Sequence, residues 1–208
     1  MMEGEVSFNS RAYFLGKEFT TTWGLRHHSS WARILAPRRE YPMRILEIGS
    51  WEGRSALFFL NYLPNSKIVC VDTFEGSIEH RAWPTWQREA QLRGVEKRFD
   101  RNLAPFADRV EKRKEDSLTA LGQLGIEGKR FDLVYIDGSH LAVDVYRDGV
   151  LAWPLVASRG IVIFDDYERM VGPKQDWPQV GVDAFLGTVK EEHEELSRGR
   201  QIVIQKHR

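Results

Sequence analysis

The sequence predicts an α/β fold: a doubly wound sheet of seven strands, mostly parallel, with an antiparallel terminal hairpin strand. Three observations carry that prediction. Short β-rich runs alternate with helix-like segments from Arg44 onward. The first run ends in a tight glycine turn that opens a helix. The chain closes on two strand-like segments flanking a short turn, Arg198–Arg200. Alternation of this kind builds a parallel sheet with helices on both faces, and a short turn builds an antiparallel pair.

The β-rich runs are Arg44–Ile48, Lys67–Asp72, Val110–Lys112, Phe131–Asp137 and Gly160–Asp165. Between them lie helical segments at Gly53–Tyr62, Arg81–Asn102, Ser117–Leu124 and Leu141–Val156. In the last of these, Ala142, Val145, Tyr146, Gly149, Val150 and Trp153 recur at helical spacing and form one core-facing stripe. A polar loop over 168–180 leads to a helix at Gly181–Glu192, and the hairpin pairs Glu194–Ser197 with Gln201–Gln205. Residues 1–41 are aromatic-rich without clear periodicity and are expected to form an N-terminal cap segment. Residues 74–94 exceed what a helix connection needs and are expected to lie as an insertion over the site. All of 1–208 is read as one domain, a length that suffices for one full core.

Composition limits the function classes. Thirty Lys plus Arg balance thirty Asp plus Glu, so no global field favours nucleic acid or an anionic membrane. The single cysteine, Cys70, lies in an apolar run and reads as a small buried hydrophobe. Residues 1–10 lack signal-peptide character, and no apolar run approaches the ~20 residues needed to span a bilayer. The expected location is cytoplasmic.

The strongest local signal is Ile45-Leu-Glu47-Ile-Gly49-Ser50-Trp51-Glu52-Gly53-Arg54-Ser55. In an open parallel sheet the ligand crevice lies at the carboxyl ends of the strands. Gly49 is expected to let backbone approach a ligand, and Gly53 to let the helix start close to the strand. The spacing is not G-x-G-x-x-G. Glu47 and Glu52 beside the loop are expected to repel a pyrophosphate and to tolerate a cationic ligand such as S-adenosylmethionine. Asp72, followed by Thr73, ends the second strand, where an acid accepts hydrogen bonds from ribose hydroxyls. Asp116 and Ser117 follow the third strand, where an adenine edge would lie. For Asp72 taken alone, a helix N-cap or turn acid is the alternative. The candidate cofactor-binding set is therefore Glu47, Gly49, Ser50, Trp51, Gly53, Ser55, Asp72, Thr73, Asp116, Ser117 and Asp137.

A second signal is Tyr135-Ile-Asp137-Gly-Ser139-His140 with Ile163-Phe-Asp165-Asp166-Tyr167. Asp137, Asp165 and Asp166 end adjacent strands. Converging carboxylates are unfavourable unless a cation sits among them or some are protonated, and hard oxygen ligands suit magnesium or a similar divalent ion.

These motifs, LEIGS-x-EG-x-S, VD, IDGSH and FDDY, resemble the class I S-adenosylmethionine-dependent methyltransferases with their Rossmann-like sheet. The likeness runs from about Trp31 to the C-terminus. It is nearest to the metal-dependent branch typified by macrocin-type sugar O-methyltransferases and cephalosporin-cluster methyltransferase-like proteins. The resemblance implies methyl transfer to a hydroxyl of a saccharide or glycosylated natural product, with Asp137, Asp165 and Asp166 holding magnesium. Some sugar-modifying relatives carry an acid where this chain has Ser139, and catechol-type enzymes carry a lysine where it has His140. His140 becomes the candidate catalytic base, since an imidazole with its ordinary pKa near ~6.5 takes a hydroxyl proton as the C–O bond forms; a helix-capping histidine is the alternative. A catechol or phenol acceptor and a non-catalytic S-adenosylmethionine-binding module remain open. His27, His28, Trp23, Trp31, Trp83, Trp86 and Trp177 are candidates for an acceptor pocket, for core packing or for a homodimer contact.

Overall fold

The computed structural model describes residues 8–77, 86–170 and 172–208. Its strands are β1 (Arg44–Ile48), β2 (Lys67–Val71), β3 (Val110–Arg113), β4 (Phe131–Ile136), β5 (Val156–Phe164), β6 (His193–Arg198) and β7 (Ile202–Lys206). Among the described residues the α-helices are α1 (His28–Leu35), α2 (Arg54–Tyr62), α3 (Trp86–Leu92), α4 (Val95–Leu103), α5 (Ser117–Ile126), α6 (Ala142–Ala152) and α7 (Pro178–Thr188). The sheet order is β3-β2-β1-β4-β5-β7-β6. The first five strands run parallel, and β7 pairs antiparallel with both β5 and β6. The order reverses between β1 and β4, which leaves a crevice at their carboxyl ends.

Strand residues alternate between two cores. Ile45, Ile68, Cys70, Leu133, Tyr135, Ile163 and Val203 face a layer that includes Trp31, Leu35, Phe58, Phe59 and Phe99. Leu46, Ile48, Val69, Val71, Val134, Ile136, Phe164 and Ile204 face the opposite layer, with Leu121, Val145 and Phe185. Both faces are covered, which is why these strands read as continuous apolar runs.

Several boundaries differ from the sequence reading for local reasons. The segment expected as one helix over 81–102 is two helices, broken at Gly94 with φ 77°; residues 81–85 lie outside the described residues. Helix α6 ends at Ala152, and Trp153–Leu155 form a 3-10 turn around Pro154, which cannot continue the hydrogen-bond ladder. Tyr146 and Val150 are partly exposed, so the α6 stripe is carried instead by Ala142, Val145, Gly149 and Ala152, with Trp153 continuing it in the 3-10 turn. Helix α7 starts three residues early because Pro178 serves as its first residue.

The N-terminal segment is part of the core. Trp31 is fully buried and donates from Nε1 to Gln201 Oε1 at 2.8 Å, and Tyr62 donates to the Ala32 carbonyl at 2.6 Å. Trp31 is thus a packing residue, and so is His28, which stacks on Phe58 with ring centroids 4.6 Å apart. Burial pushes the His28 pKa down to about 4, so it stays neutral at physiological pH. No described helix is long and apolar enough to cross a membrane.

Candidate functional site

A cavity of about 410 Å³ occupies the crevice at the carboxyl ends of β1, β2 and β4. Of the sequence-predicted residues, Gly49, Trp51, Asp72, Thr73, Asp116, Ser117, Asp137, His140, Asp165 and Asp166 line it. Glu47, Ser50, Gly53 and Ser55 do not. Gly76 and Ser77 line it too.

A Cβ on Gly49 would lie 2.1 Å from the Asp137 carbonyl oxygen, so the absent side chain admits the end of β4. A Cβ on Gly53 would lie 3.1 Å from Leu103, so its role is packing of α2 on α4. Glu52 also departs from its expected place beside the ligand. It is buried, bonded to Thr20 and ion-paired with Arg98 at 2.5 Å, and it ties the N-terminal segment to α4.

Glu47 is fully buried behind the crevice, and among the described residues neither carboxylate oxygen has a hydrogen-bond partner. Burial pushes its pKa up to about 7, only partly offset by the nearby Ser50, Ser55 and Cys70. Its folded pKa therefore exceeds the ordinary 4.5. The protonated form is favoured in the fold, so stability is complete below the unfolded value and declines as pH rises through the folded one. The shift corresponds to about 3 kcal/mol lost between about pH 4.5 and pH 7. Glu47→Gln is expected to match the parent near ~pH 4 and to exceed it above ~pH 7. Denaturant melts across that range check this; parallel pH profiles for the two proteins would remove the buried carboxyl as the cause.

Asp72 accepts from the backbone amides of Trp51 at 2.7 Å and Phe74 at 2.6 Å. The turn-acid role is therefore real, and each oxygen retains a further lone pair for a ligand. Asp116 caps α5, accepting from the Thr119 amide at 3.0 Å and its hydroxyl at 2.8 Å. Ser117 donates to Asp148 at 2.6 Å. Asp148, buried on α6, lines the crevice with its pKa pushed by burial up to about 6. The sequence reading missed it because it falls inside a helix with no motif; its one-turn offset from Asp144, another lining acid, was the available signal.

At the ends of β4 and β5, Tyr135 stands between two acids. Its hydroxyl is 2.9 Å from Asp137 Oδ2 and in close contact with Asp165 Oδ2. Burial, then Asp165 and Asp166, push the Asp137 pKa well up. Asp166 sits at φ 52°. Burial raises its pKa, yet His140 and Arg169 outweigh that and hold it well below the usual range. His140 Nε2 is 3.1 Å from Asp166 Oδ2, and Arg169 Nη1 is 2.7 Å from the same oxygen. Ligand atoms of Asp137, His140 and Asp166 lie within 4.8 Å of one another. This grouping differs from the expected Asp137, Asp165 and Asp166: Asp165 turns to Tyr135, to the Asp166 amide at 2.7 Å and to His27 at 3.7 Å. Backbone direction at the β5 end, invisible in the sequence, separates the paired acids.

Among the aromatics, Trp23 lines the crevice and packs on Trp51 with centroids 5.6 Å apart. Trp177 bonds the Gly172 carbonyl and is not in the lining. Trp83 lies outside the described residues, as does the side chain of Trp86.

Comparison with known proteins agrees with the fold. Mycinamicin VI 2''-O-methyltransferase of Micromonospora griseorubida is 26% identical over 92% of this chain, which spans 45% of that protein. The methyltransferase MycE, solved with Mg, SAH and mycinamycin VI, superposes with TM-score 0.65 at 19% identity, over 96% of this chain and 53% of that one. The O-methyltransferase TomG of Streptomyces achromogenes, solved with SAM, gives TM-score 0.62 at 18% identity over 88% and 80%. A family profile described as Methyltransferase domain matches residues 46–167, from β1 through the acids after β5. That match takes in more than half of the chain, and the protein belongs to the methyltransferase-domain family in its class I form.

Proposed function

We propose that the protein is an S-adenosylmethionine-dependent, divalent-metal-assisted O-methyltransferase acting on a hydroxyl of a saccharide or glycosylated natural product. The observation that carries this reading is the charge of the crevice. Eight carboxylate side chains line it against three guanidiniums, among the described residues. Such a lining favours cations and disfavours a pyrophosphate. It suits a ligand that carries a sulfonium and an ammonium, and it suits a magnesium-sized ion among Asp137, Asp166 and their neighbours.

The chain's own residues divide the work. Asp72, held by two backbone amides, presents fixed acceptors where ribose hydroxyls would lie. Asp137 and Asp166 supply oxygen ligands, and Tyr135 keeps Asp165 oriented beside them. A bound divalent ion supplies Lewis-acid stabilisation of negative charge on oxygen. Asp166 orients the His140 imidazole through Nε2, and Nδ1 is the nitrogen assigned to accept the acceptor's hydroxyl proton. Trp23 and Trp51 offer faces against a sugar ring. Alignment of hydroxyl and methyl donor within this walled space lowers the entropic part of the barrier.

The test is release of S-adenosylhomocysteine across neutral and acidic glycosides and catechols, with magnesium and with excess chelator, beside calorimetry with S-adenosylhomocysteine and NAD. The expected outcome is S-adenosylhomocysteine binding, no NAD binding and turnover that chelator abolishes and magnesium restores. NAD binding without S-adenosylhomocysteine binding would falsify the cofactor assignment; full turnover in chelator would remove the metal from the reaction.

A further inference from the structure

A second cavity, about 350 Å³, opens beside the crevice between two turns. One turn supplies Arg26, His27 and Ser30, and the β6–β7 turn supplies Ser197, Arg200 and Gln201. Arg26 and His27 line both cavities, so the two spaces adjoin. The crevice is dominated by carboxylates, whereas among the described residues no acid lines this second space. Arg26 and Arg200 are exposed, and neither guanidinium has an ion-pair partner among the described residues. The neighbouring Arg198 is by contrast held by Glu195 and Asp183.

Gln201 supplies an independent sign. It is only 7% exposed, and Trp31 Nε1 donates to its Oε1 at 2.8 Å. An indole can only donate, so the amide orientation is fixed and Nε2 is the free end. Nε2 has no partner among the described residues. A buried donor left unpaired costs about 1–3 kcal/mol. What this wall lacks is an acceptor.

We infer that the second cavity is an anion subsite that takes a phosphate or carboxylate group of the acceptor whose hydroxyl reacts in the adjoining crevice. The word acceptor rests on the proposed methyltransferase reading; the anion site itself does not. Two planar guanidiniums match either oxyanion with paired hydrogen bonds. The cavity lies on the β7 side of the crevice, separated from the Gly49 and Asp72 ends of β1 and β2 by β4 and β5. The group it holds therefore belongs to the molecule opposite the nucleoside, and the acceptor class narrows to acidic or phosphorylated saccharides.

The test is an ¹⁵N NMR titration with inorganic phosphate and, separately, with acetate at constant ionic strength, with S-adenosylhomocysteine added and without it. The readouts are the Gln201 side-chain amide and the Arg200 Nε–H. Saturable shifts in the millimolar range are expected with at least one anion, and whichever binds names the group. Arg200→Ala is expected to weaken that binding about tenfold while S-adenosylhomocysteine affinity stays at the parent value. No saturable shift with either anion, or binding unchanged in Arg200→Ala, overturns the subsite. Loss of S-adenosylhomocysteine binding in the parent would instead overturn the methyltransferase reading, with the anion titration still readable in the free protein.

Discussion

His140→Ala is expected to lower turnover by roughly 10²–10⁴-fold, the contribution of a positioned proton acceptor. The substitution leaves Asp72, Gly49 and the amides of Trp51 and Phe74 untouched, so S-adenosylhomocysteine affinity stays near the parent value. The informative readout is metal affinity. His140 shares a 4.8 Å cluster with Asp137 and Asp166, so the imidazole is placed either to take a proton or to serve as a ligand. The contact with Asp166 at 3.1 Å favours the first, because it engages Nε2 in an acid–imidazole pair that orients the ring. As a base, His140→Ala loses turnover with the activating metal concentration unchanged. A ligand role would shift that concentration about 10–100-fold and return much of the rate at high magnesium. A variant within a few-fold of the parent at all magnesium concentrations would assign the proton elsewhere, with His27 beside Asp165 the next group to examine.

Gly49→Ala is expected to be the most damaging single-methyl change in the sheet. The new Cβ would lie 2.1 Å from the Asp137 carbonyl oxygen, 2.5 Å from its carbon and 2.7 Å from Gly138 Cα. All three are backbone atoms, so no side chain can rotate away. The φ of 86° adds left-handed strain. Together these cost roughly 2–5 kcal/mol, about 10 °C in unfolding midpoint for a chain of this size. Relief requires the ends of β1 and β4 to separate, which displaces Asp137. Metal-dependent turnover is therefore expected to fall further than stability alone explains. Gly122→Ala is the control: its Cβ meets nothing within 4 Å on an exposed turn of α5, and it should be neutral or stabilising by up to about 1 kcal/mol. A Gly49→Ala midpoint matching the parent would show that β4 does not need the close approach.

Much of the fold is legible in the chain because burial on both faces leaves a one-dimensional mark. The run Arg44–Ile48 is β1 to the residue, and Lys67–Val71 needs only its final Asp72 removed. The same holds for the crevice, since acids that end parallel strands all point to one edge of the sheet. Asp72, Asp116, Asp137, Asp165 and Asp166 line one cavity for that reason. Charge alone was a poorer guide. Glu47 and Glu52 flank the glycine turn in sequence, yet one is buried behind the strand and the other is neutralised by Arg98 from a helix 46 residues away. Tyr135 reads in sequence as part of an apolar strand; only the approach of β5 turns its hydroxyl into a link between two acids.

The sequence by itself determined the order of strands and helices, the glycine turn and the edge at which the chemistry collects. These follow from local periodicity, from φ-permissive residues and from the rule that parallel strands share a direction. Tertiary structure alone decided which neighbour each side chain meets. It placed Gly49 against β4, moved Asp165 toward His27 and Tyr135, brought His140 into the Asp137–Asp166 group, and set Arg26 beside Arg200 across the sheet edge. Such contacts join residues tens to more than a hundred positions apart. Their energies depend on distances of a few ångströms, which no spacing along the chain encodes.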